Sequence, residues 1–171
     1  LSLKDAGITI DVVEDGETFE DNARKKAEEV LAVAHADAVL SDDSGLMVDA
    51  LGGAPGVYSA RYAGEGHDDA ANNAKLLEAM QSVPDGARAC RFVSAIALAR
   101  RGRETLIRLG EVEGTLLRAP RGIDGFGYDP LFYYEPAGRT FAELSACEKN
   151  LVSHRKRGLE AVRAALEAER A

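Results

Sequence analysis

The chain has 171 residues, 46% of them apolar, with 29 acidic and 21 basic side chains and a formal net charge of −8. This length fits one domain whose core needs no disulfide support, and the negative charge excludes a general nucleic-acid binder, whose surface would be basic. The charge is unevenly spread, because residues 1–60 carry 4 basic and 13 acidic side chains whereas residues 61–171 carry 17 and 16. Such a division favours a site that combines metal-binding carboxylates with an anion-binding surface.

Cysteine usage and hydropathy indicate the cellular compartment in which we expect the protein. Two cysteines, Cys90 and Cys147, are too few for a disulfide framework, so we expect a reducing, cytoplasmic environment. The sequence has no apolar run of about 18 residues that could span a bilayer, and no signal-peptide pattern opens it. We therefore expect neither a membrane nor a nucleic acid among the partners.

The first half of the chain predicts two strands and two helices. Ile8–Val13 is short and rich in β-branched residues, which is typical of a strand. Thr18–Asp21 resembles a capping box and precedes a helix predicted over residues 19–36. A short buried strand over residues 38–41 and a second helix over residues 69–80 follow.

The second half changes to a strand periodicity. Residues 88–101 alternate in side-chain character, which predicts a long strand. Residues 104–117 predict its antiparallel partner, with Gly110 and Gly114 at bulges or bends. A short strand, a short helix and a final amphipathic helix are predicted at residues 130–133, 141–144 and 148–169. Helices alternating with strands, together with one clear hairpin, predict an α/β fold with a mixed sheet.

Asp42-Asp43-Ser44-Gly45 is the sharpest chemical motif. It is predicted at the carboxyl end of a buried strand, where open α/β sheets bind ligands. Adjacent carboxylates raise each other's pKa unless a cation or hydrogen-bond donors offset the repulsion, and Mg²⁺ binds through one or two carboxylates and substrate phosphates. The motif thus suggests a Mg²⁺ site, although a solvated turn explains the same residues equally well. Glu14 and Asp15 could supply a further carboxylate, but from the residues alone an ordinary acidic loop is the better interpretation.

Two later motifs suggest recognition of a planar, anionic ligand. Gly125–Pro130 places two aromatic rings and a carboxylate between glycines, so that a ring can lie under a base while Asp129 accepts its N–H donors. A tight turn before a strand explains it equally well. Lys149, His154 and Arg155 belong to a basic cluster that suits an anion-binding surface. The patterns of P-loops, dinucleotide-binding folds, zinc sites and Ser-His-Asp hydrolases are absent from the sequence.

Taken together, three segments closely resemble the inosine triphosphate pyrophosphatase family, whose members hydrolyse non-standard purine nucleoside triphosphates. The segments are Ser41–Leu46 with its continuation Leu51–Tyr62, Gly125–Phe132, and Glu148–Asn150 with Ser153–Arg155. Thr18–Ala23 and Lys26 also match, so the resemblance covers nearly the whole chain from Glu14. Several long motifs in one order are far more specific than any single motif.

The resemblance implies an α/β fold with an elongated, twisted, mixed β-sheet flanked by helices, two lobes with a central cleft, and a homodimer. It implies an enzyme that uses Mg²⁺ to convert ITP, dITP or XTP to the monophosphate and pyrophosphate, which cleanses the nucleotide pool. Asp43 is then the general base that activates water, and Glu14 and Asp43 hold the metal. The implied substrate-binding residues lie near the phosphates, at Lys26 and Ser44, or around the purine, at Phe126, Gly127, Tyr128, Asp129, Lys149, His154 and Arg155. The last three of these read the base and favour a 6-keto group over the 6-amino group of adenine.

The chain departs from the family pattern at its start. The family opens with a strand and a Ser/Thr-Gly-Asn-x-x-Lys phosphate-binding loop, whereas this sequence begins past that point with Leu1-Ser2-Leu3-Lys4. We therefore expect a single domain over residues 1–171 that lacks this strand and loop. Two alternatives stay open: a Maf-like nucleotide pyrophosphatase with other base preferences, against which His154-Arg155 argues, and a non-catalytic nucleotide-binding dimer.

Overall fold

Five strands form one sheet, in the order β1-β2-β3-β4-β5, with helices packed on both of its faces. The computed structural model describes residues 2–169. The strands are β1 Ala38–Val48, β2 Ala89–Arg100, β3 Leu106–Leu116, β4 Phe132–Tyr134 and β5 Arg139–Thr140. The helices are α1 Phe19–Val33, α2 Asp69–Ala79, α3 Ala146–Val152 and α4 His154–Ala168. The α/β class is confirmed, although all four strand pairings within residues 2–169 are antiparallel rather than mixed.

Helix α1 covers one face of the sheet because its inner residues are small. Thr18 caps the helix, its hydroxyl accepting the Asp21 N–H at 3.1 Å. Ala23 and Ala27 are fully buried against β2, together with Phe19 at the start of the helix. The β2 residues on this face are also mostly alanines, so helix and sheet approach closely. The helix ends at Val33, three residues before the predicted end.

Helix α4 crosses the opposite face, and glycines make that crossing possible. A Cβ atom built on Gly110 of β3 would lie 2.1 Å from the carbonyl oxygen of His154 and 2.2 Å from the nitrogen of Gly158. The β2–β3 register is continuous through Gly110 and Gly114, so the predicted bulges or bends at these positions are wrong. Gly110 instead removes the side chain that would hold α4 away from the sheet.

The two faces of the sheet carry two separate hydrophobic clusters. The cluster on the α4 face contains stacked and tilted aromatic rings: Phe132 lies 4.6 Å from Phe92 and 4.7 Å from Phe141 between centroids. The cluster on the α1 face contains Phe19 and the alanines described above. Strand β2 contributes to both, because its successive side chains point to opposite faces.

Three element predictions are wrong in position or extent. Ile8–Val13 forms no strand, since no strand of the described residues pairs with it and its Ile8 N–H instead donates to the Leu3 carbonyl at 2.9 Å, in a turn. Strand β1 is neither short nor buried in its first residues, because it runs from Ala38 to Val48. The final helix is broken at Ser153, whose extended backbone ends α3 and whose hydroxyl accepts the Lys156 N–H at 3.2 Å to cap α4. The helix over residues 69–80 is confirmed as α2.

Candidate functional site

Asp42 and Asp43 lie in the middle of β1, so they do not follow a strand as predicted. Successive strand residues point to opposite faces, and each carboxylate therefore meets a different helix: Asp43 meets Lys26 of α1, whereas Asp42 meets Arg155 of α4. The adjacent carboxylates consequently do not form one shared cation site. Each is the centre of its own cluster, on either side of β1.

The first cluster joins Glu14, Lys26 and Asp43. Lys26 Nζ lies 3.1 Å from Asp43 Oδ1 and 3.2 Å from Glu14 Oε1, so one ammonium group bridges the two carboxylates. Asn22 donates from Nδ2 to Asp43 Oδ2 at 3.2 Å, while its Oδ1 accepts the Gly16 N–H at 2.8 Å. Asn22 therefore ties the loop after Glu14 to the strand. The sequence motif contained Asn22, but nothing local indicated this role.

Asp43 has the properties of a proton acceptor. It is 8% exposed, and burial raises its pKa; the Lys26 charge and the hydrogen bonds from Lys26 and Asn22 oppose this rise, while the Glu14 charge adds to it. A carboxylate with a raised pKa holds a proton more readily than one in water. Fixed orientation and raised basicity are what a general base for water requires.

The first cluster fits a magnesium ion by its chemistry. Glu14 and Asp43 both present oxygen atoms, the donors that Mg²⁺ prefers, and both already face a single positive charge. Residues 2–169 contain no group of three or more His, Cys, Asp or Glu side chains placed to hold a metal. A bound Mg²⁺ would therefore take two protein carboxylates and complete its coordination with water and substrate oxygens.

The second cluster surrounds a cleft of about 190 Å³ on the α4 face. Phe126, which is 60% exposed, forms one wall. Lys149 Nζ and the Arg155 guanidinium carbon lie 4.5 and 5.7 Å from its ring centroid. Lys149 also forms a salt bridge with the buried Asp129 carboxylate, which accepts the Phe126 N–H at 2.9 Å. The cleft thus combines an exposed aromatic face with two cations.

His154 lines this cleft with a buried imidazole. Its ring is 5% exposed and stacks on Phe92 with centroids 5.0 Å apart. Burial, together with the nearby positive charges of Arg155 and Lys149, lowers the pKa of His154 to about 3, and the Asp42 charge partly opposes this fall. The buried Nδ1 has no hydrogen-bond partner in the region that the structure covers. A buried polar atom without a partner is rare.

Arg155 is oriented by Asp42 and two serines. Arg155 Nε donates to Asp42 Oδ2 at 2.8 Å, and the Ser44 hydroxyl lies 3.1 Å from that oxygen and 2.8 Å from the Ser94 hydroxyl. Burial favours a higher pKa for Asp42, but the hydrogen bond and charge of Arg155, with help from Ser44, lower it below its usual value. Asp42 therefore stays ionised and fixes the orientation of the Arg155 guanidinium. No local pattern in the sequence indicated that these two residues pair.

The structure brings the predicted site residues together as two groups on the two sides of β1. Glu14, Lys26 and Asp43 lie on the α1 side. The other group lines or borders the cleft on the α4 side: Ser44, Phe126, Gly127, Tyr128, Asp129, Lys149, His154 and Arg155. Tyr128 is buried, and its hydroxyl donates to the Ser59 carbonyl at 2.8 Å. In the described residues β2 is the one strand paired with β1, and an isolated bridge also joins Met47 of β1 to Pro55.

This fold and site define a class of α/β protein with an exposed aromatic ring and two cations on one side of a strand and paired carboxylates on the other. Comparison with known proteins identifies the family. The family model described as "Ham1 family" matches residues 1–165. The chain belongs to the Ham1 family, which confirms the relationship that the sequence motifs indicate.

Individual relatives agree with this assignment. A dITP/XTP pyrophosphatase of Leuconostoc mesenteroides is 51% identical over 160 residues, covering 94% of this chain and 79% of the relative. One from Bacillus subtilis is 48% identical over 167 residues, covering 98% and 84%. The solved structure of the Staphylococcus aureus Ham1 protein has a TM-score of 0.87 and 42% identity, covering 94% of this chain and 82% of that one. Among residues 2–169, no helix is long and apolar enough to cross a membrane.

Proposed function

We propose that this protein hydrolyses non-standard purine nucleoside triphosphates, namely dITP, XTP and ITP, to the nucleoside monophosphate and pyrophosphate. Relatives about 50% identical carry the name dITP/XTP pyrophosphatase. The observation that carries the proposal is the placement of a buried carboxylate, Asp43, across one strand from a cleft with an aromatic wall and two cations. A nucleoside triphosphate has matching parts, with a planar base at one end and phosphates at the other.

In the proposed reaction, Asp43 accepts a proton from a water molecule whose oxygen attacks the α-phosphorus. The bond between that phosphorus and the oxygen bridging to the β-phosphate breaks, and pyrophosphate leaves with the electron pair. Lys26 keeps Asp43 oriented and places a positive charge beside the phosphates, where Ser44 would also contact the substrate. Mg²⁺, held by Glu14 and Asp43, would neutralise phosphate charge when bound.

The purine would lie against Phe126, with Gly127, Tyr128 and Asp129 completing that wall. Lys149 and Arg155 present donors to the base, and the neutral His154 has one unpaired nitrogen. These groups would pair with a 6-keto oxygen, whereas the 6-amino group of adenine would leave donors facing donors. Unpaired polar groups in a closed site can discriminate between substrates by a factor of about 10⁴.

A substrate panel tests the proposal. We expect pyrophosphate release from dITP, XTP and ITP with Mg²⁺, little release from dATP or ATP, and loss of activity with EDTA. Asp43→Asn should lower kcat by at least about 10²-fold, because it removes the base while preserving side-chain shape. Equal turnover of ATP and ITP would contradict the proposed base selection. Binding of dITP without any hydrolysis would support a non-catalytic role instead.

The proposal includes a homodimer in the cytoplasm. Both cysteines are free thiols, Cys90 buried and Cys147 exposed, which fits a reducing compartment. Exposed apolar side chains such as Tyr58 and Leu151 are available for contacts between subunits. Light scattering on the protein as it elutes from a size-exclusion column should give a mass about twice the 18.2 kDa of the chain. The mass of one chain would contradict the dimer.

A further inference from the structure

Helix α2 holds the loop that carries Phe126. Asp69 Oδ2 accepts the Gly127 N–H at 2.6 Å, and Asn73 Nδ2 donates to the Gly127 carbonyl oxygen at 2.8 Å. Both backbone polar groups of Gly127 are therefore bound by side chains of one helix. Asp69 and Asn73 lie one turn apart on α2, so a single rigid element fixes the peptide next to the aromatic wall.

The Asn73 amide is committed to this contact. Its Nδ2 also donates to the Asp69 carbonyl at 2.7 Å, so both hydrogens of the amide point at carbonyl oxygens. The opposite orientation would bring Oδ1 against two acceptors and is therefore excluded. Oδ1 is buried and has no partner among the residues described, which costs stability. The two hydrogen bonds from Nδ2 therefore hold the Asn73 side chain in this orientation, even though Oδ1 has no partner among the residues described.

The backbone of this loop is not rigid by itself. Gly125 and Gly127 have φ values of +77° and +59°, a conformation that only glycine adopts easily. Phe126 stands between them with most of its ring exposed, so packing does not fix its direction. On one side the Asp129 carboxylate accepts the Phe126 N–H, and the Asp129 N–H donates to the Phe126 carbonyl at 3.2 Å. On the other side Asp69 and Asn73 bind Gly127.

We propose that Asp69 and Asn73 are positioning residues, which hold Gly127 and thereby set the direction of the Phe126 ring against the base of the substrate. This inference rests on the proposed function for its substrate. The two side chains act on the wall of the cleft and lie away from Asp43, the proposed base. Their loss should therefore weaken substrate binding and leave the chemical step nearly unchanged.

Steady-state kinetics with dITP provide the first test. Asn73→Ala and Asp69→Ala should each raise KM about tenfold, as expected for the loss of one hydrogen bond, with kcat within about twofold of the original. Asp69→Asn keeps an oxygen that can accept the Gly127 N–H and should largely restore KM. Glu78→Ala, which removes an exposed carboxylate from the same helix, is the control and should change neither constant. An unchanged KM in both alanine variants, or a fall in kcat alone, would overturn the inference.

The second test needs no turnover. The chain has no tryptophan, so Phe126→Trp introduces a single indole into the loop. Adding Asn73→Ala should lower the fluorescence anisotropy of that indole and increase its quenching by acrylamide, whereas adding Glu78→Ala should not. Loosening of the loop in a protein that hydrolyses no dITP would support the positioning role while refuting the proposed function. Full activity with unchanged fluorescence and KM would refute the positioning role alone.

Discussion

Asp42 Oδ2 lies 2.8 Å from Arg155 Nε, and this contact joins the middle of β1 to the first turn of α4 across 113 residues. Both side chains are more than one-third exposed, and exposed ion pairs contribute at most about 1 kcal/mol to stability. The contact therefore matters more for orientation than for folding. It holds the guanidinium 5.7 Å from the Phe126 ring, at the cleft proposed for the purine.

Asp42→Asn should accordingly change substrate recognition and leave folding nearly intact. The neutral amide holds Arg155 less firmly, so we expect KM for dITP to rise about three- to tenfold, from the weakening of a charged hydrogen bond. Kinetics with dITP and dATP, together with thermal unfolding, measure both effects. Asp37→Asn, at an exposed position directly before β1, is the control. A large fall in unfolding temperature with an unchanged KM would contradict this assignment.

Lys26→Met removes the charge that bridges Glu14 and Asp43. Two carboxylates, one of them buried, then face each other without a cation, so the free energy of unfolding should fall by about 1–3 kcal/mol. Urea unfolding in EDTA measures this loss. Added Mg²⁺ should stabilise this variant more than the original protein, because the ion replaces the missing charge.

Lys25→Met is the matched control for that experiment. Lys25 lies next to Lys26 in sequence and pairs with Asp15 at 2.6 Å, but this pair lies at the surface. Its removal should have little effect, as is usual for surface ion pairs. Equal destabilisation of the two variants would mean that the Lys26 bridge has no special role in holding the carboxylates.

Local signals allowed the prediction of elements whose limits depend on nearby residues. The Thr18 cap indicates a helix from Phe19, and the observed helix begins there. Alternation over residues 88–101 predicts β2, which runs over Ala89–Arg100. Caps and alternation involve side chains only a few positions apart, so a single sequence contains them directly.

The features that local sequence signals did not predict depend on contacts between residues far apart in the chain. The predicted strand ended at Ser41 because acidic residues are uncommon in strands. The observed β1 continues through Asp42 and Asp43 because each carboxylate finds a cation on a different helix, 113 and 17 residues away respectively. The bond from Asn73 to Gly127 spans 54 residues. Periodicity carries no information about pairings over such separations.

Gly110→Ala should destabilise the protein by separating α4 from the sheet. The added methyl group would lie 2.1 Å from the His154 carbonyl oxygen, so helix or strand must move, at a cost of about 3 kcal/mol. Because α4 carries His154 and Arg155, KM for dITP should rise as well. Gly86→Ala, at a site with no atom within 4 Å of the new methyl group, is the control. Chemical denaturation that shows equal stability for both variants would refute the close approach of α4.

The lowered pKa of His154 predicts that the free energy of unfolding falls in mild acid. Burial, together with the charges of Arg155 and Lys149, lowers its folded-state pKa to about 3, below the value of about 6.5 expected when the chain is unfolded. As the pH falls below about 6.5, His154 takes up a proton in the unfolded chain but stays neutral in the folded protein. Stability therefore falls with pH, by about 2 kcal/mol at pH 5 from this residue, and continues to fall towards pH 3.

His154→Gln should remove this component and flatten the dependence of unfolding free energy on pH between 6.5 and 5. His35→Gln, at an exposed histidine, should leave the slope unchanged and controls for the general effect of losing an imidazole. Carboxylates that titrate in the same range are common to both variants and cancel in the comparison. If both variants keep the slope of the original protein, His154 takes up its proton over the same pH range in the folded protein as in the unfolded chain. His154 would then not be a buried neutral imidazole beside the purine, and base selection would rest on Lys149 and Arg155.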